Sequence, residues 1–131
     1  MNRDNVLQYL LYYLSQFSYH SKFLGELIDL IAGSGYEDKF FKLLLLRLRQ
    51  LSMLGINAVE LEEFENIGGG LYSMHFSQKN FNIRFLYAFM PNGQPALLIP
   101  FFERAGKRRT DYTPYIEPAL SRLEQLKEEF K

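Results

Sequence analysis

The chain has no cysteine, no tryptophan, two histidines, five prolines and no net charge. Without cysteine there are no disulfides, thiolate zinc sites or thiol nucleophiles, and the composition fits a reducing compartment. His20 and His75 lie far apart with no ligand-like spacing, so neither a metal nor another cofactor is expected. Long hydrophobic runs are also missing. The stretch Val6 to Leu14 is too short to span a bilayer. Gln16, Phe17 and Tyr19 follow it where a signal peptide would carry small cleavage-site residues. A cytoplasmic protein without membrane association is the expectation.

Acidic residues are scarce in one half. From Ile67 to Arg109 the only acid is Glu103, against six bases: Lys79, Arg84, Arg104, Lys107, Arg108 and Arg109. Nine bases and fourteen acids elsewhere restore neutrality. Such segregation points to an anionic partner at one surface. The 131 residues, 47% hydrophobic and 16% aromatic, suffice for one domain with a core of its own, spanning 1–131.

Residues 5–14 are nearly continuously apolar, which suits a buried strand or a buried helix equally. Residues 21–32 read as an amphipathic helix through Phe23, Leu24, Leu27, Ile28 and Ile31, with Ser21 as N-cap and Gly33 as stop. Residues 37–54 read as a second helix ended by Gly55, with Lys42, Arg47, Arg49 and Gln50 on its wet side. The short link predicts an antiparallel helical hairpin. Residues 56–66, with Glu60, Glu62, Glu63 and Glu65, read as a solvated acidic connector. The triple glycine 68–70 lacks the lysine and the context of a phosphate loop.

Residues 71–76 and 81–89 read as a strand pair around a turn at 77–80, and 96–102 as a third strand reached through Pro91-Asn92-Gly93. Pro100 predicts an edge position or a bulge. Residues 103–113 form a basic loop. The C-terminus returns to helix through Ala119, Leu120, Leu123, Leu126 and Phe130, beginning at Thr113-Pro114 or, because of Pro118, near Glu117.

If Phe76 faces Phe81, then His75 faces Asn82 and Ser73 faces Arg84. Period-two alternation then puts Tyr72, Met74, Phe76, Phe81, Ile83 and Phe85 on a core face and Ser73, His75, Asn82 and Arg84 on a wet one. His75 and Arg84 become diagonal neighbours, with Cα atoms roughly 7–8 Å apart. A histidine and an arginine so placed can grip one phosphate. Arg104, Lys107, Arg108 and Arg109 add phosphate-matching charge, and Tyr112 can stack on an unpaired base. Metal-free RNA cleavage needs a group to take the 2′-hydroxyl proton, one to protonate the leaving 5′-oxygen, and positive charge on the phosphorane. Histidine serves either proton transfer, arginine supplies charge, and lysine or tyrosine can serve as the second proton carrier. The same residues also have a plain structural reading, as solvated strand and loop positions.

The pieces GLYSMHF, NIRFLYAF, ALLIPFFERAGKR and TPYIEPALSRLEQL, beginning at Gly70, resemble the RelE/HigB-like toxins of type II toxin–antitoxin pairs, in particular the phage-derived HigB-like branch. The pattern there is a "GLYELR" strand, a "YRILYFF" strand, an "LLHGFVKK" strand and loop, and a helix ending "ALKRL"; the preceding hairpin fits too. The resemblance implies a RelE-like α+β fold: a small antiparallel curved sheet packed by an N-terminal helical hairpin and a C-terminal helix. It favours an initial strand at residues 5–14. It also implies a ribosome-dependent, metal-independent mRNA endoribonuclease, neutralised by a cognate antitoxin, with a helix-turn-helix protein expected in that role. By position His75 stands at the arginine of "GLYELR", Arg84 matches that of "YRILYFF", Arg104 falls in the "KK" pair with Glu103 replacing the other lysine, Ile99 replaces the histidine, and Lys107 follows in the loop. The expected catalytic residues are His75, Arg84 and Lys107, and the expected substrate contacts Ser73, Asn82, Arg104, Arg108, Arg109 and Tyr112. Two alternatives stand beside this: a non-catalytic RNA- or antitoxin-binding protein on the same fold, and a gyrase poison.

Overall fold

The computed structural model describes residues 1–103 and 110–130. The protein is α+β, with four helices around a five-stranded mixed sheet among the described residues. Helix α1 (Arg3–Tyr13) leads to the two-residue strand β1 (Ser18–Tyr19), then α2 (Phe23–Ile31) and α3 (Glu37–Leu54). A 3-10 turn (Gly55–Glu60) follows, then β2 (Phe64–Gly68), β3 (Leu71–Gln78), β4 (Phe81–Phe89), β5 (Pro95–Phe102) and α4 (Thr113–Glu129). The sheet order is β1-β5-β4-β3-β2. All neighbours are antiparallel except β1, which pairs parallel to β5, so the wholly antiparallel sheet expected above is corrected.

Residues 5–14 are helical, which overturns the lean toward an initial strand. Val6, Leu10 and Leu14 recur at helical spacing and are fully buried, and Asn2 caps the first turn by accepting from the Asn5 amide at 2.8 Å. The apolar run is continuous because Tyr9, Leu11 and Tyr12, between the buried positions, are exposed apolar residues. The acidic connector is also corrected. Beyond its 3-10 turn it supplies β2, an edge strand whose Phe64 enters the core and whose Glu65 pairs with Ser73 across the ladder. On α2 the N-cap is Lys22 rather than Ser21, with no side-chain cap bond. Gly55, at φ 54°, ends α3 as expected.

The β3–β4 hairpin turns through Lys79-Asn80 alone, and Ser77 and Gln78, expected in the turn, extend β3. Gln78 therefore faces Phe81, and His75 faces Arg84 directly. A slip of two residues leaves every side chain on its expected face, because the period is two. One face carries Met74, Phe76, Ile83, Phe85 and Tyr87 into a core with Phe23 and Leu27 of α2 and Phe40, Leu44 and Leu48 of α3. The other face is not simply wet. Leu71, Leu86, Ala88, Ala96, Leu98, Ile99 and Phe101 build a second core against Ala119, Leu123 and Leu126 of α4. On β5 an extra residue at Leu98, between the pairs Leu86–Ile99 and Tyr87–Leu97, bulges the strand and turns both Leu98 and Ile99 toward α4. Pro100 lies beyond the reach of β1, which pairs only with Ala96 and Leu97, so its missing N–H faces an unpaired stretch of edge.

Two polar ties join the layers. Arg122 of α4 forks onto both carboxylate oxygens of Glu26 in α2, at 2.5 and 2.7 Å, and donates to the Leu98 carbonyl at 2.9 Å. His20 bonds the Gln125 side chain through Nε2 while Nδ1 accepts from the Lys22 amide at 3.1 Å.

Candidate anion site at the end of the α4 layer

Strand β4 records where the second layer stops. Asn82 and Arg84 are half-buried between core residues, whereas Phe85 through Ala88 are all buried. The helix therefore covers one end of this face and leaves the end beside the β3–β4 turn only partly shielded. His75 and Arg84 lie at that boundary, with side chains 16% and 14% exposed.

Arg84 is the hub. One terminal guanidinium nitrogen, Nη1, meets His75 Nε2 at 2.5 Å and donates to the Tyr112 hydroxyl at 2.8 Å. Tyr112 Oη is 3.5 Å from His75 Nε2, so the three side chains close a triangle. The Tyr112 ring, 6.0 Å from the Arg84 guanidinium carbon, packs edge-on against Phe101, and Phe101 stacks on Tyr115. The start of α4 thus presses the tyrosine toward the strand pair. Arg84 Nε is ion-paired to Glu103, which is also held by the Thr110 hydroxyl.

Arginine only donates, so His75 Nε2 is an acceptor and the ring proton is assigned to Nδ1. Burial, then the charges of Arg84 and Arg47, lower the imidazole from its ordinary value to about 4. It is neutral at neutral pH and has no proton to give a leaving group. As a base its lone pair is occupied by Arg84, and becomes free only if that guanidinium turns toward another acceptor. A phosphate is such an acceptor.

Of the expected site residues, His75, Arg84 and Tyr112 come together. Asn82 sits nearby on the same face, with its Oδ1 accepting from Ser77 at 2.9 Å. Ser73 does not belong to the site: it is fully buried opposite Leu86, and its hydroxyl has no hydrogen-bond partner among the described residues. Its expected substrate contact assumed a wet face, and α4 covers that part of it. Arg104, Lys107, Arg108 and Arg109 lie outside the described residues.

The sequence reading missed three residues. Arg47, expected on the wet side of α3, is 7% exposed; its Nε donates to the His75 carbonyl at 2.9 Å, and it approaches Glu63 to 3.9 Å. Glu65 of β2 brings a carboxylate within 3.9 Å of His75 Nε2. Glu103, the lone acid of its stretch and the residue standing where the family pattern has lysine, is not marked by the sequence as the partner of Arg84. No period-two pattern marks the second, because Phe64 and Ile67 are three apart and join opposite cores; no local signal marks Arg47 as buried.

No family model, curated protein or solved structure matches this chain.

Proposed function

We propose that the chain is the toxin of a toxin–antitoxin pair, a ribosome-dependent and metal-independent mRNA endoribonuclease of the RelE/HigB-like kind. The observation that supports it is the triangle of His75, Arg84 and Tyr112 around one guanidinium nitrogen, at the open end of an otherwise covered sheet face. In this reading the scissile phosphate takes the place of His75 and Tyr112 on Arg84. Arg84 then stabilises the charge on the phosphorane. The freed Nε2 takes the proton of the attacking 2′-hydroxyl, and Tyr112 or Lys107 protonates the leaving 5′-oxygen. Arg104, Arg108 and Arg109 hold flanking phosphates, a role that rests on the sequence.

The test is a purified translation system, with message ends mapped by primer extension. Wild-type protein is expected to cut message only when ribosomes translate it, and Arg84→Ala to reduce cutting by about 100-fold or more. Folded wild-type protein that leaves translated message intact would rule out the nuclease.

A second reading, a non-catalytic RNA- or antitoxin-binding protein on the same fold, is favoured by the carboxylate on Arg84 and the unprotonated imidazole. Tight RNA binding without cleavage, unaffected by His75→Ala and Arg84→Ala, is its distinguishing result.

A further inference from the structure

The outer side of α1 and α3 carries large apolar residues among its polar ones, where solvent would favour polar residues throughout. Tyr12 is 76% exposed and Met53 84%, and Tyr9, Leu45 and Leu46 are also exposed. Contiguous apolar surface of this kind marks an interaction site. It is also concave. A groove between the two helices is lined by Tyr13, Phe17, Leu45, Leu48, Arg49 and Met53, with Leu48 nearly buried at its floor. A second hollow, lined by Tyr9, Tyr12 and Tyr13 with Met1, Asn5 and Gln8, adjoins it through the shared Tyr13. The depression therefore follows α1, about 16 Å long at 1.5 Å per residue. Tyr9 and Tyr13 both pack on Phe41, which fixes their rings against the core.

The charge on this surface is mostly positive, the exposed acids of the two helices being Asp4 and Asp38 in their first turns. From Lys39 to Leu54 the bases are Lys39, Lys42, Arg47 and Arg49 with no acid, and residues 5–19 carry no ionisable acid or base other than tyrosine. Arg47 turns inward to Glu63, while Lys39, Lys42 and Arg49 are exposed. We infer that the α1–α3 groove is a docking site for an acidic amphipathic helix of another protein, whose apolar stripe fills the groove while its carboxylates meet Lys42 and Arg49. A helix in a groove is the mode this shape serves. A second copy of the chain fits less well, because a two-fold contact would set these cations against their own mates. A flat bilayer reaches the rim but not the floor at Leu48. The groove lies on the opposite side of the sheet from His75 and Arg84, so a bound helix leaves that site open; the inference is independent of the nuclease reading.

The probe is a displayed library of helical peptides of roughly 18 residues, long enough to hold a helix once docked, selected on the full chain. The enriched peptides are then synthesised and their affinities measured by fluorescence anisotropy. Enrichment of sequences with an apolar stripe and excess Asp and Glu is expected. Affinity should fall about tenfold or more for Arg49→Glu and for Met53→Glu. Lys127→Glu, on α4 across the sheet, should leave it unchanged; circular dichroism confirms that each variant is folded. No enrichment, enrichment without acidic bias, or equal binding by the two groove variants overturns the inference. So does self-association in sedimentation that the same variants abolish, or binding to phosphatidylglycerol vesicles in place of peptides.

Discussion

Glu103 holds the Nε edge of Arg84, while His75 and Tyr112 share its Nη1. An arriving phosphate must compete with a carboxylate already in contact. Glu103→Gln keeps the shape and removes the charge, so affinity for a short single-stranded oligonucleotide should rise about tenfold, roughly 1.4 kcal/mol; titration calorimetry of the variant against wild type measures it. Unchanged or weaker binding would mean that Glu103 orients Arg84 rather than masking it. His75 gives a second expectation. Its native value, about 4, lies below the ordinary 6.5, so the unfolded chain takes up a proton more readily than the native one. This linkage is silent above about pH 6.5 and removes stability as pH falls toward 4. Between pH 7 and 5 the loss should be about 2 kcal/mol, and His75→Gln should abolish that part of the pH slope in urea titrations. A slope unchanged by the substitution would show that the imidazole is not held neutral.

Among the elements, α3 does more than cover the sheet. Arg47 reaches from it to the His75 carbonyl and toward Glu63, fastening the helix to the β2–β3 edge beneath the site. Arg47→Ala leaves those acceptors without their buried donor and should cost about 2–3 kcal/mol. Denaturant midpoints at constant slope measure the cost. A change below about 0.5 kcal/mol, as for an ordinary surface position, would contradict the buried role. The chain made α2, α3 and the β3–β4 faces readable because their apolar residues repeat with a clear period. It concealed α1, where exposed tyrosines and Leu11 fill the gaps in the period, and β2, where Phe64 and Ile67 sit at an odd spacing and face opposite cores. The hairpin register was missed because Phe76–Phe81 and Gln78–Phe81 pairing give identical faces; a two-residue turn through Lys79-Asn80 decides between them.

As a whole the molecule is two cores sharing one sheet, the larger under α1, α2 and α3 and the smaller under α4. Strand β4 contributes Phe85 to one and Leu86 to the other, so neither can melt without disturbing the second. The chain should unfold in a single cooperative transition. Phe85→Ala and Leu123→Ala, on opposite faces, should each shift the far-ultraviolet circular dichroism and tyrosine-fluorescence transitions together, by about 2–5 kcal/mol. Separate transitions for the two probes in either variant would show independent layers. Among the described residues no helix is long and apolar enough to cross a membrane.

By itself the sequence determined the α+β composition, the helices over α2 and α3, the face of the hairpin strands that enters the core, and the placing of His75 and Arg84 together on the other face. These follow from local periodicity, which needs only neighbouring residues. The tertiary structure decided what surrounds that pair: that α4 buries Ser73 and brings Tyr112 in, that Arg47 lies beneath, and that Glu103 sits on Arg84. Those contacts join residues distant in the chain, and burial and opposing charge act through space, so no local pattern could record them.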